Sequence, residues 1–328
     1  MRVLVTGATS LIGGGVARAL VERGDAVVCL QRAASNVSGA TEVRGDVRDL
    51  DVVLDAARGC DAVVHAAAKV GVVGSWEEYR SANVDGTANV LGAAIAREIP
   101  HVVHVSSPSV AHGGEAIVGG AADPPVLGRA RAWYPESKAL AEIAALAAAS
   151  PELGVVAIRP HLVWGPGDTQ LVGRIVDRAR TGRLALVEGG RALVDTTYVD
   201  NAVGALVAAL DAVSPDAACS GRAYVVANGE PRTIRELVAG ICAAADVPFA
   251  PRDVSLRAGI AAGALVERAW PLLRRSDEPP LTRFLAEQLG TAHWFDPRPA
   301  RDDLGWGPDV TIDEGLRRLA DWFDGAAS

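Results

Sequence analysis

Short aliphatic runs alternate with longer alanine-rich stretches through the first half of the chain. Runs at Arg2–Thr6, Ala26–Leu30, Ala62–His65, His101–Ser106 and Val155–Arg159 predict strands. Between them, the patterns at Gly14–Arg23, Leu50–Arg58, Val84–Glu98 and Pro135–Ala149 predict helices. This alternation implies right-handed βαβ crossovers and a parallel sheet, whose ligands bind at the carboxyl ends of the strands. After Pro160 the pattern changes. Gly165-Pro166-Gly167 signals a turn, a helix is expected around Leu171–Thr181, and a Gly-rich, hairpin-like stretch covers Val187–Arg191. A strand at Tyr224–Ala227 and a helix at Thr233–Ala245 follow. The tail holds Pro271, Pro279, Pro280, Pro297, Pro299 and Pro308, so short helices and loops are expected there. The fold class is therefore α/β, a Rossmann-like doubly wound parallel sheet with a small, mostly C-terminal α/β substrate domain. Residues 1–165 with about 192–229 are expected to form the dinucleotide-binding domain, and 166–191 with 230–328 the substrate-binding or lid domain.

Composition narrows the class. Of the 328 residues 49% are hydrophobic and 22% charged, which excludes a disordered chain. The net charge of −8 argues against a nucleic-acid binder. Cys29, Cys60, Cys219 and Cys242 form no CxxC pair, so neither a zinc clasp, another metal site nor a disulfide framework is expected. No uncharged apolar run reaches the ~18 residues of a membrane span, and the opening MRVLVTGATS reads as a strand and turn rather than a signal peptide. A soluble, cytoplasmic protein is expected.

Two stretches carry chemistry. The first, Val3 to Gly15, runs from a strand through a tight turn into a helix, with Gly7, Thr9, Ser10, Leu11, Ile12 and Gly13 around the turn. Glycine permits close backbone approach, and the helix N-terminus offers free N–H groups to a pyrophosphate. The second strand ends Cys29-Leu30-Gln31-Arg32, without the carboxylate that often holds the ribose of NAD. The Arg32 guanidinium suits a 2′-phosphate, so NADP(H) is favoured and NAD(H) is the alternative. The second stretch is Tyr134-Pro-Glu-Ser-Lys138, which uses one of only four tyrosines. Residues four apart share a helix face, and an ammonium beside a phenol is expected to lower its pKa from about 10 and make it a usable acid/base. Hydroxyls at Ser106, Ser107 and Ser109 close a predicted strand and would face the same crevice, where one could hold the reacting oxygen.

Together these residues resemble the extended short-chain dehydrogenase/reductase superfamily, with Ser10 where the middle glycine of its TGxxGxxG turn is usual. The stretches Ala132–Glu142, Arg159–Asp168 and Val194–Asn201 resemble its 3β-hydroxysteroid dehydrogenase branch. Within that branch, Lys69–Trp76, Ser107–His112, Trp164–Asp168 and Glu278–Leu289 are similar to the bacterial 2-alkyl-3-oxoalkanoate reductases of long-chain olefin biosynthesis. The resemblance implies a Ser107-Tyr134-Lys138 catalytic set. It also implies adenine contacts from Asp46 and Val47, ribose and pyrophosphate contacts from Ala66, Ala67 and Ala68, and nicotinamide contacts from Pro160, Leu162 and Val163. His65 is expected to be structural. The implied reaction is reversible hydride transfer at the 3-position of a large apolar substrate, with Tyr134 giving the proton, Ser107 holding the oxygen and Lys138 binding the nicotinamide ribose. A homodimer is implied as well.

On the substrate side, Ser109 would point at the substrate. His112, His161 and Arg174 are candidate cations for a carboxylate, and Trp76 and Trp164 could either line the pocket or pack in the core. The stretch Leu256–Leu273, with Ile260, Leu265, Trp270, Leu272 and Leu273 punctuated by Arg257, Arg268, Arg274 and Arg275, reads as a lid, a surface for a membrane or a pathway enzyme, or an ordinary packed helix. Alternatives are a 3β-hydroxysteroid or sterol-4-carboxylate 3-dehydrogenase, a sugar-nucleotide epimerase or dehydratase, and a non-catalytic dinucleotide sensor. Pro108-Ser109 after Ser107 disfavours the dehydratases, which usually carry Asp-Glu there; the retained Tyr/Lys pair disfavours the sensor.

Overall fold

The computed structural model describes residues 1–327 apart from Val72, Arg131, 271–278 and Pro280. The N-terminal half comprises β1 (Arg2–Thr6), α1 (Leu11–Arg23), β2 (Ala26–Gln31), β3 (Thr41–Arg44), α2 (Leu50–Ala56), β4 (Ala62–His65), α3 (Trp76–Tyr79), a π-helical stretch (Arg80–Asp85), α4 (Gly86–Ala96), β5 (His101–Val105), β6 (Ile117–Gly120), α5 (Trp133–Ala147) and β7 (Gly154–Pro160). There follow β8 (Val163–Trp164), α6 (Val172–Arg180), β9 (Ala185–Val187), β10 (Leu193–Val194), β11 (Thr197–Tyr198), α7 (Val199–Ala212), β12 (Arg222–Val226), β13 (Arg232–Thr233) and α8 (Ile234–Ala244). The chain closes with β14 (Arg252–Val254), α9 (Leu256–Ala269), α10 (Arg283–Gly290), β15 (His293–Phe295), α11 (Arg298–Leu304) and α12 (Ile312–Ala327).

Seven strands make one parallel sheet in the order β12-β7-β5-β4-β1-β2-β3. Alternate residues of each strand serve the two faces. Val3, Val5, Val27 and Cys29 pack with Val16 and Leu20 of α1 and Leu206 of α7; Leu4, Val28, Leu30 and Val63 pack with Val90 and Leu91 of α4. Strand order reverses between β1 and β4, and the open crevice at the carboxyl ends there is where such sheets bind ligands. A smaller four-stranded sheet, β13-β10-β15-β6, sets His293 beside Val194 and Ile117.

The structure departs from the sequence pattern in the second half. Val187–Arg191 is no hairpin: β9 pairs with β14, and β10 with β13 and β15, with a 3-10 turn (Glu188–Gly190) between them. The tail contains helices of 14 and 16 residues, α9 and α12, because the described prolines Pro279, Pro297 and Pro308 fall between elements and Pro299 in the first turn of α11. Helices α3 and α7 escaped the periodicity. The chain's four cysteines are free and buried. Helix α9 buries only Gly259 and Gly263, and a Cβ on Gly263 would stand 2.5 Å from the Arg283 N, so glycine lets α9 lie against α10. Leu265 remains 66% exposed. Leu272, Leu273, Arg274 and Arg275 lie outside the described residues. Among the described residues no helix is long and apolar enough to cross a membrane.

Helix α5 is fastened to the sheet by a buried ion pair. Arg159 of β7 donates from Nε to Glu142 Oε2 at 2.8 Å and from Nη2 to Oε1 at 2.5 Å, and from Nη1 to the Asp123 carbonyl at 2.8 Å. Both side chains are almost wholly removed from water. Glu142→Ala leaves the guanidinium buried without a counter-charge, and should cost about 3–5 kcal/mol of unfolding free energy. Urea denaturation checks this; a loss under about 1 kcal/mol would refute the role assigned to the pair.

Candidate active site

The turn after β1 is built to lie close to a ligand. Gly7 has φ +74°, and a Cβ there would sit 2.7 Å from the Ala67 backbone. At Gly13 a Cβ would come within 2.4 Å of the Gly7 carbonyl oxygen. Ser10 is the N-cap of α1: its hydroxyl donates to the Gly7 carbonyl at 2.8 Å and accepts from Gly13 N–H at 3.0 Å. Thr9 and Ser10 are exposed and Leu11 and Ile12 half-buried. The N–H groups of Leu11 and Ile12, in the first helical turn, have no intrahelical carbonyl to bind. Such an arrangement can cradle a pyrophosphate; Ala66 and Ala67 lie against Gly7, and Ala68 is more exposed.

At the adenosine end, β2 finishes on Gln31, whose side-chain oxygen and nitrogen are both buried without a hydrogen-bond partner. It lies on the α1 side of the sheet, two residues past Cys29. Such an orphaned amide at this strand end fits a ribose hydroxyl, and the sequence reading passed over it in favour of its neighbour. Arg32 is exposed. Asp46 is held below the usual carboxylate range mainly by Arg48, which donates to it from Nη2 at 2.7 Å, with Arg32 adding to the effect. Val47 is buried.

The reacting groups converge at the ends of β5 and β7. Ser107 caps a 3-10 turn (Pro108–Ala111) by accepting from Ser109 N–H, and the two hydroxyls lie 2.8 Å apart. Tyr134 and Lys138 fall on one face of α5, as the spacing requires. The expected pairing of ammonium and phenol is not what the structure holds. Lys138 Nζ donates to the Val105 carbonyl at 2.7 Å and lies 3.3 Å from His104 Nε2. Burial pushes the Tyr134 phenol up, opposed by a hydrogen bond from Ser107, while burial pushes Lys138 down to about 8. The expectation of a lowered phenol pKa is corrected accordingly.

A hydrogen-bonded chain behind the site also escaped the sequence reading. Asn83, in the π-helical stretch, accepts from Lys69 N–H at 2.6 Å and donates to Lys69 O and to Ser137 Oγ on α5. Thr87 donates to the Asn83 carbonyl, so it accepts from His65 Nε2 at 3.0 Å. His65 Nδ1 then accepts from Thr6, 2.7 Å away. His65 is buried with its pKa down to about 3, a neutral strut between β1 and α4. A polar Asn at the start of an apolar helical run was the available signal.

Beside Tyr134 and Ser107 lies a cavity of about 160 Å³, lined also by Ser109, His112, His161 and His293. Leu162, with φ +43°, lines it; Pro160 ends β7 buried and Val163 opens β8. Three substrate-side candidates lie elsewhere. Trp164 is fully buried, donating to Thr196 Oγ1 at 2.8 Å and packed on Tyr198, because β8 turns its ring into the second core. Arg174 is on α6, where it reaches Gln170 and lines a separate groove of about 910 Å³ with Arg178, Trp270 and Leu289. Trp76 packs against Trp133 with ring centroids 5.6 Å apart and the rings tilted by 54°, and it does not line the cavity.

A doubly wound sheet with a glycine turn at its switch point and a Ser/Tyr/Lys cluster at its rim defines an extended short-chain dehydrogenase/reductase. Residues 4–252 match the model of the 3-beta hydroxysteroid dehydrogenase/isomerase family. The chain belongs to that family. It is 48% identical to the 2-alkyl-3-oxoalkanoate reductase of Stenotrophomonas maltophilia over 97% of this chain and 98% of that protein. It is 39% identical to the 2-alkyl-3-oxoalkanoate reductase of Shewanella oneidensis over 96% of this chain and 84% of that one. Among solved structures, MoeE5 in complex with UDP-glucose and NAD superposes with a TM-score of 0.78 at 26% identity, covering all of both chains.

Lys138 gives the site a distinct pH signature. Its folded pKa lies below the unfolded value of about 10.4, so the unfolded chain binds more protons between pH 8 and 10 and stability rises with pH there. Urea denaturation of wild type and Lys138→Met at pH 7.5 and 9.5 should show wild type gaining on the variant at the higher pH. A constant or reversed difference would contradict the burial of a depressed ammonium.

Proposed function

We propose that this protein is a nicotinamide-dependent reductase that converts the 3-oxo group of a 2-alkyl-3-oxoalkanoic acid to the 3-hydroxyl, with NADP(H) favoured over NAD(H). The observation that carries the reading is the convergence of the Tyr134 phenol and the Ser107 and Ser109 hydroxyls on one apolar-walled cavity at the same carboxyl edge of the sheet as the glycine turn. The names of the two relatives supply the substrate class. When bound, the nicotinamide supplies a hydride to the 3-carbonyl carbon.

The chain's own groups do the rest. Tyr134, its pKa raised by burial, is protonated at neutral pH and gives its proton to the 3-oxygen as charge develops there. Ser107 donates a hydrogen bond to that oxygen, and Ser109 orients Ser107 across the 2.8 Å contact. Lys138 turns from the Val105 carbonyl to the nicotinamide ribose. Gly7, Thr9, Ser10, Leu11, Ile12 and Gly13 hold the pyrophosphate, with Ala66, Ala67 and Ala68 opposite. Pro160, Leu162 and Val163 back the nicotinamide end, and Asp46 and Val47 border the adenine. Gln31 and Arg32 replace a strand-end carboxylate with a neutral amide and an exposed guanidinium, which suits a 2′-phosphate. Phe284, Phe295 and Ile117 give the substrate an apolar wall. A homodimer through α4 and α5 belongs to the same reading, with Ile95 and Ile143 exposed on those helices. So does a reducing, cytoplasmic setting, which suits four unpaired thiols.

Two substitutions test the reading. Tyr134→Phe should lower turnover of a 2-alkyl-3-oxo acid about 10²–10⁴-fold while nucleotide binding, followed by fluorescence titration, persists. Undiminished turnover would place the proton donor elsewhere. Arg32→Ala should weaken NADPH about tenfold more than NADH, and equal weakening would remove the cofactor preference.

A further inference from the structure

Three imidazoles from distant segments meet at the cavity beside Tyr134. His112 follows the 3-10 turn after β5, His161 follows β7, and His293 begins β15. The His112 and His293 ring centroids are 4.7 Å apart and those of His161 and His293 6.2 Å. Only β15, paired with β6 and β10, brings His293 into this company. No group of three metal-ligating side chains among the described residues could hold an ion, so the cluster is not a metal centre.

Hydrogen bonding assigns two of the tautomers. The Asp195 carbonyl can only accept, so His161 Nδ1, 2.6 Å away, carries its hydrogen. Thr291 spends its hydroxyl hydrogen on the Glu287 carbonyl and therefore accepts from His293 Nε2 at 3.2 Å. His112 differs from both: it is nine-tenths buried, lines the cavity, and neither ring nitrogen has a partner. Leaving a buried polar group unsatisfied costs about 1–3 kcal/mol, and such groups call for a ligand or another explanation. Among the described residues lining the cavity there is no lysine, arginine or carboxylate, so the histidines are the lining groups that can become cationic beside an anion, while Ser107, Ser109, Tyr134 and Gln288 offer neutral donors.

We propose that His112 binds the carboxylate of the 3-oxo acid while Ser107 and Tyr134 hold its 3-oxygen, and that the histidine cluster takes up a proton as the acid enters. This rests on the reductase reading and adds to it the group that separates acids from neutral ketones. Burial and mutual repulsion keep the empty cluster uncharged at neutral pH, with His161 at about 4 and His293 at about 3. His112 is lowered by burial as well. The other titratable groups around the cluster do not supply a positive charge. Tyr134 is a neutral phenol, Glu287 on α10 is buried, and the Asp195 carboxylate, pushed up to about 6 by burial, accepts from Gly229 and Glu230 N–H groups; loss of proton uptake in His112→Phe separates the imidazoles from Asp195. An entering carboxylate is thus the one new charge, and it favours an imidazolium beside it. Binding then tightens as pH falls.

The test compares a 2-alkyl-3-oxo acid with its methyl ester, using wild type, His112→Phe and His112→Gln. The wild-type preference for the acid in kcat/KM should fall about 10- to 100-fold in His112→Phe and recover in part in His112→Gln, which restores an N–H donor. Calorimetry of the 2-alkyl-3-hydroxy acid binding to the nucleotide-loaded wild type, in buffers of different ionisation enthalpy, should report uptake of close to one proton; His112→Phe should lose it. An unchanged acid preference in His112→Phe, or no proton uptake by wild type, overturns this proposal while leaving the reductase reading intact. Failure of wild type to reduce the acid with either nicotinamide overturns both.

Discussion

The active site depends on the ion pair that holds α5 against β7. Arg159 and Glu142 are both inside the protein, and each is tolerable there only because of the other. Tyr134, Lys138 and Glu142 are spaced four apart on α5, so the bond that locks Glu142 also sets the height and rotation of the two residues above it. Ser137, on the adjacent face, is caught by Asn83 from the other side. The helix is therefore clamped between β7 and the π-helical stretch, and the phenol is delivered to the rim of the sheet without freedom to roll.

The same burial explains why Lys138 and Tyr134 do not pair. An ammonium drawn this far from water needs oxygen or nitrogen acceptors close by, and the nearest are the Val105 carbonyl and His104 Nε2. Spacing in a helix puts two side chains on one face. It does not choose which way a long, flexible chain turns when a stronger acceptor lies beneath it. The phenol is left with Ser107, which suits the proton-donor role proposed for it.

The wound sheet was legible because its signals are local. Strands such as Val3–Val5 and Val63–Val64 are apolar on both faces, and the glycine turn and the Tyr/Lys pair are each contained in a few residues. The cavity was far less so. His112 and His161 could be suspected from nearby motifs, but His293 enters through a three-residue strand whose partners, Val194 and Ile117, are remote in sequence. Trp164 and Arg174 stand close to a recognisable motif, yet one is turned into the core by β8 and the other faces a different groove. Gln31 was overlooked for a physical reason: an uncharged amide at a strand end looks unremarkable until both its polar atoms prove to be orphaned.

Ser10 has a consequence of its own. Where a glycine would leave the turn after β1 free to sample many conformations, the serine hydroxyl cross-links its first and last residues, Gly7 and Gly13. The loop is thus ordered before any nucleotide arrives, and little conformational entropy is left to lose on docking. On the proposed reading, part of the affinity for a dinucleotide is stored in the protein as rigidity.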